Sequence, residues 1–432
     1  MKKFILLVSI VVVGLVHEGK SQTNPDRTVV VTSAVPFLRI PVDARAAGMG
    51  DIGVATSPDN NSDYHNPAKY AFMEYTSGFS INYSPWLRQL VNDIHLISAN
   101  GYYKIDKMQS FAASLRMFSM GKIDFTDQQG NPLGTGNPNE LCFDVHYSRK
   151  VSKKLSFGVS LRYIYSNLAS GLPGVTQGKP GHAAATDLSM FYTTPIKMQG
   201  DKKARLNWGM NISNIGNKMI YTSQTVGDYL PANFATGIGY EMDFDDYNTL
   251  NFGLEINKLM VPTPDTAKGQ GDPSILDYKE KSTISSIFSS WGDAPGGFAE
   301  EMKEYIVNFG VEYWYNKLFA VRAGYFYETG SKGGRNFMTA GLGLKYNAFI
   351  LNFSYLIPTS STVNPLDNTM RFSMVFNFGK AENAKPTPKA TTTDETTIPP
   401  VENDNAMPLP TEESKPSPTE DVAPSPVPAE PK

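Results

Sequence analysis

The stretch Leu155-Ser-Phe-Gly-Val-Ser-Leu-Arg-Tyr-Ile-Tyr165 alternates along its whole length. Leu155, Phe157, Val159, Leu161, Tyr163 and Tyr165 fall on one face of an extended chain, and Ser156, Gly158, Ser160 and Arg162 on the other. Successive side chains of a strand point to opposite faces, so period two marks a strand with one apolar and one polar side. A soluble strand is usually about five or six residues long. A run of about ten is what a tilted strand needs to cross a bilayer.

The same pattern recurs outward in both directions. Leu250, Phe252, Leu254 and Ile256 alternate with Asn251, Gly253 and Glu255. Tyr305 to Tyr315, Met338 to Tyr346 and Met370 to Phe378 repeat it, the last ending on the aromatic Phe376-Asn-Phe378. Fourteen such runs fit the chain, at 76–85, 93–105, 109–120, 139–149, 154–167, 183–194, 204–214, 231–242, 248–258, 304–316, 317–328, 335–347, 348–358 and 369–378. Short links (Asp106-Lys-Met, Lys150-Val-Ser-Lys, 243–247, Tyr315-Asn-Lys, Asn347) take turns with long ones. The longest is 259–303; the sixth link, 195–203, is the one on the short side that is not tight. Short turns at one end and long loops at the other are the asymmetry of outer-membrane barrels. A strand in hydrocarbon needs every backbone donor and acceptor paired, and only closure removes open edges. The fold class expected is therefore all-β: a transmembrane antiparallel β-barrel of fourteen strands over 76–378. Polar residues such as Arg116, Arg162, Glu255, Glu312, Arg322 and Arg371 then face inward.

Composition agrees. Aromatics make up 12% of the 432 residues, yet mean hydropathy is -0.29 and charged residues are only 19%, so Ser, Thr, Asn, Gly and Tyr cover the polar surface. Net charge is -3, which gives nucleic acid no electrostatic handle. Lys2 and Lys3 followed by apolar Phe4 to Val16 read as an export signal, residues 1–21, cleaved near Ser21/Gln22. Thirteen apolar residues are too few for a comfortable span. Residues 22–75, rich in Ala, Gly, Asn and Asp, lack sustained periodicity and read as a plug in the lumen. From 379 to 432 no aromatic occurs and Pro recurs, so a disordered periplasmic tail is expected. A single cysteine, Cys142, excludes an intramolecular disulfide and a thiolate metal site.

Candidate chemistry is sparse. Gly48-Met-Gly-Asp-Ile-Gly53 matches the spacing of a dinucleotide loop, but no strand precedes it and Pro58 spoils a following helix. The glycines instead suit close packing inside a lumen. The histidines His17, His65, His95, His146 and His182 are scattered without metal-ligand spacing. Glu255 and Glu312 sit on consecutive runs and make a carboxylate pair conceivable, although balance by Arg322 and Arg371 is the simpler reading. No nucleophile with a base has a local signature, so neither catalytic residues nor a cofactor are expected. The insertion 259–303 holds two short amphipathic helices, Ser282 to Ser289 and Gly297 to Tyr305, with Ile284, Ile287, Phe288, Trp291 and Phe298. Phe288, Trp291 and Phe298, with Trp86 on an earlier loop, are candidate anchors for a protein partner.

Pro41-Val-Asp-Ala-Arg-Ala-Ala-Gly-Met-Gly-Asp-Ile-Gly-Val-Ala55, followed by Asn66-Pro67-Ala68, resembles the FadL-like outer-membrane proteins. Within them, Pro41 to Gly50, Ser84-Pro-Trp-Leu-Arg88 and the signal ending Ser21-Gln22 are similar to the PorV family of the type IX secretion system. The likeness covers roughly residues 35–378 and leaves out the Pro-rich tail. It implies a fourteen-stranded barrel with an N-terminal hatch marked by Gly48, Gly50, Gly53, Asn66, Pro67 and Ala68. It also implies a non-enzymatic role: receiving secreted cargo by its C-terminal signal domain from the translocon channel, and delivering it to the sortase and attachment complex. The alternative it leaves is a FadL-type channel for hydrophobic small molecules. Loops would face the cell exterior, the barrel membrane lipid, and the tail the periplasm.

Overall fold

The computed structural model describes residues 31–379, except 89–90, 128, 169–177, 199–201, 222–226, 265–272 and 360–367. The export signal read at 1–21 and the tail read beyond Gly379 lie outside the described residues. The strands in chain order are β1 (Ser77–Pro85), β2 (Ile94–Lys104), β3 (Gln109–Met120), β4 (Ile123–Thr126), β5 (Pro132–Gly136), β6 (Asn139–Lys150), β7 (Leu155–Asn167) and β8 (Gly181–Lys197). They continue as β9 (Lys203–Gly216), β10 (Asn233–Asp243), β11 (Asn248–Leu259), β12 (Tyr305–Tyr315), β13 (Phe319–Tyr327), β14 (Asn336–Tyr346), β15 (Phe349–Pro358) and β16 (Met370–Phe378). Fourteen of them close an antiparallel barrel, in the order β1, β2, β3, then β6 through β16. Pairing of Ser77 with Phe378 and Tyr83 with Phe372 seals the ring, leaving no free edge.

The fourteen runs expected from alternation coincide with the barrel strands to within a few residues. Two details differ. The link after β3 carries a separate hairpin, β4–β5, whose short strands lack the ten-residue signal and turn where Asp127 accepts the N–H groups of Gln129 and Asn131. The sixth link shrinks to 198–202 because β8 runs on to Lys197 in spite of Pro195. Pairing with β7 ends at Leu155–Tyr192, so Pro195 sits where one side of β8 has no neighbour and a missing N–H costs nothing. Tight turns use local polar chemistry. Asn316 and Lys317 both adopt φ near +50°, as a two-residue hairpin turn requires, and Asp106 and Asp245 each accept two backbone N–H groups within their turns.

Burial is inverted relative to a water-soluble protein. On β7, Ser156, Ser160, Arg162 and Ser166 are buried, while Phe157, Val159, Leu161 and Tyr163 are exposed, Leu161 to 62%. The same holds around the ring: Leu254, Phe309, Val321, Leu342 and Met374 face out, and Glu255, Asn308, Arg322, Gly341 and Ser373 face in. An apolar exterior over a polar interior is the pattern that lipid selects.

Residues 34–73 lie within the ring, touching strands on all sides. The Ala34 N–H donates to the Tyr229 carbonyl at 2.9 Å, at the end of the barrel with the long loops, and Thr76 reaches Phe378 at the end with the short turns. The lumen segment therefore runs through the barrel from one end to the other. It forms only short helices, at Pro36–Arg39, Ala44–Ala47, Ser62–His65 and Pro67–Phe72. Near the loop end Phe37 and Leu38 pack against Leu96, Cys142, Ile164, Ala183 and Leu230; near the turn end Tyr70 and Met73 pack against Tyr102 and Ala112.

Candidate functional site

The Gly48–Ala55 stretch lies backbone-to-backbone on the wall. Gly239, Gly253, Gly310 and Gly324 stand directly opposite one another across β10, β11, β12 and β13, forming a band without side chains. A Cβ on Gly324 would come within 2.0 Å of the Gly50 nitrogen, and one on Gly310 within 2.4 Å of the Met49 carbonyl oxygen. Gly48 meets Gly341 in the same way. Gly50 has φ +71° besides, and a Cβ there would strike the Phe309 and Tyr325 main chain at 2.7 Å. A Cβ on Gly53 would come within 2.1 Å of the His65 ring, whose Nε2 is 3.1 Å from the Asp43 carboxylate.

Asn66, Pro67 and Ala68 fasten the segment to the opposite wall. The Asn66 side-chain amide donates to the carbonyls of Val54 (2.8 Å) and Met190 (2.9 Å), and its oxygen caps the Ala68 N–H. Pro67 fills the first position of the following helix, where no N–H is needed. The Ala68 carbonyl accepts from Ser156 Oγ at 2.7 Å, and its N–H reaches Ser189 Oγ.

Charge completes the attachment. Glu312 is fully buried and takes Arg45 of the lumen segment at 2.9 Å and Arg322 of β13 at 2.7 Å. Arg371 meets Asp51 at 3.3 Å, and Glu255 accepts the N–H groups of Gly53 and Val54. Glu255 and Glu312 are therefore not a carboxylate pair: Glu255 faces Asn308 across the ladder and Glu312 faces Asn251. The role of Arg45 was not legible, because its partner lies 267 positions away. His146 stands between Ser114 (3.3 Å) and Ser160 (2.7 Å), with Asp144 beside Ser114. All four are buried under the lumen segment, with Tyr70 against His146, and both ring nitrogens of the histidine are taken up by serines. That arrangement holds structure together and gives no substrate access.

At the loop end the insertion is tied down by buried charge. Lys258 is fully buried and pairs with Glu301 (2.6 Å) and Glu304 (2.8 Å); Lys332 pairs with Glu300 and Glu304. Burial pushes Glu304 up, but the hydrogen bonds and charge of Lys258 outweigh it and hold the carboxyl below the usual range. Asp293 is pushed up to about 6, by burial first and by the nearby Glu304 and Glu301. An α-helix at Thr283–Ser289, capped by Ser282, buries Ile287, and a one-turn helix follows at Phe298–Glu301. A 3-10 helix at Pro273–Glu280 was not foreseen, since its apolar residues have no helical period.

Phe288 is 75% exposed and Phe298 79% exposed; Ile284 and Met302 are also exposed. Trp291 is exposed too, to 40%, with its ring edge-on to Phe234 at 5.3 Å. Trp86 departs from expectation. It is 7% exposed with its ring edge-on to Phe118, which stacks on Phe37, so it belongs to the packed mouth of the barrel and presents no free surface.

Comparison with known proteins adds a family. The model described as type IX secretion system protein PorV matches residues 22–266. No curated protein sequence matches. Among solved structures, the chain is similar to the Pseudomonas putida toluene transporter TodX (TM-score 0.42, 11% identity, 81% of this chain and 98% of that one). It is also similar to the Ralstonia pickettii toluene transporter TbuX (0.39, 11%, 78% and 98%) and to a Pseudomonas aeruginosa FadL homologue (0.38, 11%, 82% and 100%). At such identities and scores these likenesses carry no functional weight.

Proposed function

The chain belongs to the PorV family and is an outer-membrane component of the type IX secretion system; from that premise we propose that it carries cargo. In this reading it binds a secreted protein by the C-terminal signal domain, takes it from the translocon channel, and passes it to the sortase and attachment complex without covalent chemistry of its own. The long loops face the cell exterior and the short turns the periplasm.

The observation that carries the reading is the insertion at 260–304. It displays Phe288 and Phe298 to solvent on a base of buried ion pairs, above a lumen already occupied by residues 34–73. Exposed aromatics on a rigid base suit partner capture, and burying a large apolar side chain is worth roughly 1.5–3 kcal/mol. Two or three such anchors give binding that is specific and still releasable, as a carrier requires. The lumen speaks against a channel for hydrophobic molecules. Two cavities in it, of about 100 Å3 and 10 Å3, share no lining residue, and charged side chains border both: Arg39, Arg162, Arg335, Arg371 and Glu255 the first, Arg45 and Glu241 the second.

Deleting 265–300 tests the proposal. The barrel should still fold and reach the outer membrane, while cargo accumulates in the periplasm or on the translocon. Normal secretion and anchoring of cargo in the deletion strain would overturn it. Affinity purification from native membranes should recover proteins that share a C-terminal domain; bound lipid alone would favour the channel.

A further inference from the structure

The cargo reading leaves one chamber of the lumen without a role. It has a volume of about 100 Å3 and lies toward the loop end, between the lumen segment and the wall, lined by Arg39, Tyr64, Asn211, Asn308, Arg335 and Arg371 among others. Four guanidinium groups, of Arg39, Arg162, Arg335 and Arg371, line it beside Asp51 and Glu255, and the hydrogen bonds of all but Arg162 are incomplete among the described residues. Arg371 is 1% exposed; one of its terminal nitrogens reaches Asp51, yet its Nε has no partner. Arg335 gives Nε and Nη2 to Glu328, with no bond from Nη1 among the described residues. The Arg39 guanidinium has neither a hydrogen bond nor an ion pair among the described residues.

Arg162 pairs with Asp144 and Asp187, and Glu255 accepts the N–H groups of Gly53 and Val54. Arg39 is the lining cation with no ion pair among the described residues, and the Glu328 charge that reaches it is already shared with Arg335. A buried charge without a counter-ion is costly, and one that lines a cavity can be matched by something that enters it. We propose that this chamber binds one small oxyanion, of carboxylate or phosphate size, with Arg39 supplying the charge and Arg335 and Arg371 further donors.

Size and shape narrow the ligand. A cavity of ~150 Å3 accepts benzene, so this one is too small for an aromatic hydrocarbon or a lipid chain and suits an ion of four or five heavy atoms. The fork of a guanidinium fits two oxygens of such an ion. Entry is from the loop end, where the Arg335 side chain is 26% exposed.

The test uses the purified full-length protein in detergent, titrated with sodium acetate and with sodium phosphate against sodium chloride at constant ionic strength. Binding to the folded state should raise the melting temperature saturably with one of the oxyanions and not with chloride. Arg39→Gln should weaken that affinity by at least about tenfold, the effect of losing a charge-assisted hydrogen bond, while Arg39→Lys keeps part of it. Because Arg39 has no hydrogen-bonded partner among the described residues, both variants should show the wild-type gel shift on heating. No saturable effect of either anion means the chamber holds water only and overturns the proposal, as does binding unchanged in Arg39→Gln.

Discussion

The lumen segment 34–73 and the loop insertion 260–304 are both irregular chain held to the same barrel by buried charge, yet they end in opposite states. The first is gripped on all sides. Main chain lies on main chain along the glycine band, and charged groups meet partners from the wall, as Arg45 meets Glu312 and Asp51 meets Arg371. The second is gripped from below only, through Lys258 and Lys332, and turns Ile284, Phe288 and Phe298 outward. Close approach on every side leaves nothing free to bind a protein. Anchoring on one side leaves a face that can.

The largest effect should come from the band. Gly324→Val places its Cβ within 2.0 Å of the Gly50 nitrogen, and the β13 backbone cannot move away without breaking its ladder. Loss should exceed about 4 kcal/mol, with no folded barrel recovered in urea titrations of protein refolded into lipid vesicles. Its neighbour Ala323 faces lipid, so Ala323→Val should change stability by no more than about 0.5 kcal/mol. Equal losses from the two would mean that the contrast between inner and outer faces is misdrawn.

Next is the triad of charges. Glu312→Gln leaves Arg322 buried without its counter-ion and Arg45 with Asp59 alone. Removing one member of a buried pair costs about 3–5 kcal/mol, readable as a lower urea midpoint at unchanged slope. A variant as stable as wild type would show that the lumen segment is held by packing alone.

On the insertion, Phe288→Ser and Phe298→Ser should leave the barrel's urea midpoint where it was. If they are the anchors, each should weaken cargo capture by about 2 kcal/mol or more, seen as lost recovery in pull-downs from native membranes. Recovery at wild-type level in the double variant would remove these aromatics from the proposed surface.

The smallest effect concerns pH. Asp293 has its folded pKa raised to about 6, above the ordinary carboxylate value of about 3.9. The folded loop therefore holds that proton more tightly than the free chain does. Docking of the insertion is strongest below about pH 4 and weakens as pH rises through about 6, where Asp293 ionises beside Glu301 and Glu304. Backbone hydrogen exchange over 273–304 should be faster at pH 7.5 than at pH 5 after correction for intrinsic rate, and Asp293→Asn should flatten the difference. A difference that persists in that variant assigns the dependence to another group.

Much of the barrel could be read directly. Alternation in Leu155–Tyr165 and its thirteen counterparts set the number of barrel strands and the side each residue faces, because the side-chain period of a strand is a local property. Arg322 could be matched to Glu312 because both are inward on strands joined by a tight turn. Inward glycines on successive strands were visible too, but not that they stand in register, since register depends on turn lengths summed around the ring. The hairpin β4–β5 and the extension of β8 were missed where strands are short or interrupted by proline.

Sequence alone thus determined a closed, lipid-facing wall, for the physical reason that hydrocarbon tolerates no unpaired backbone and forces the two-residue period into view. Tertiary structure decided what occupies the interior. Only the folded chain brings Arg45 to Glu312, lays Gly50 on Gly324, buries Trp86 against Phe118 and leaves Arg39 unpaired beside a small chamber. Each of these joins residues far apart in the chain, and such contacts leave no periodic trace in either partner.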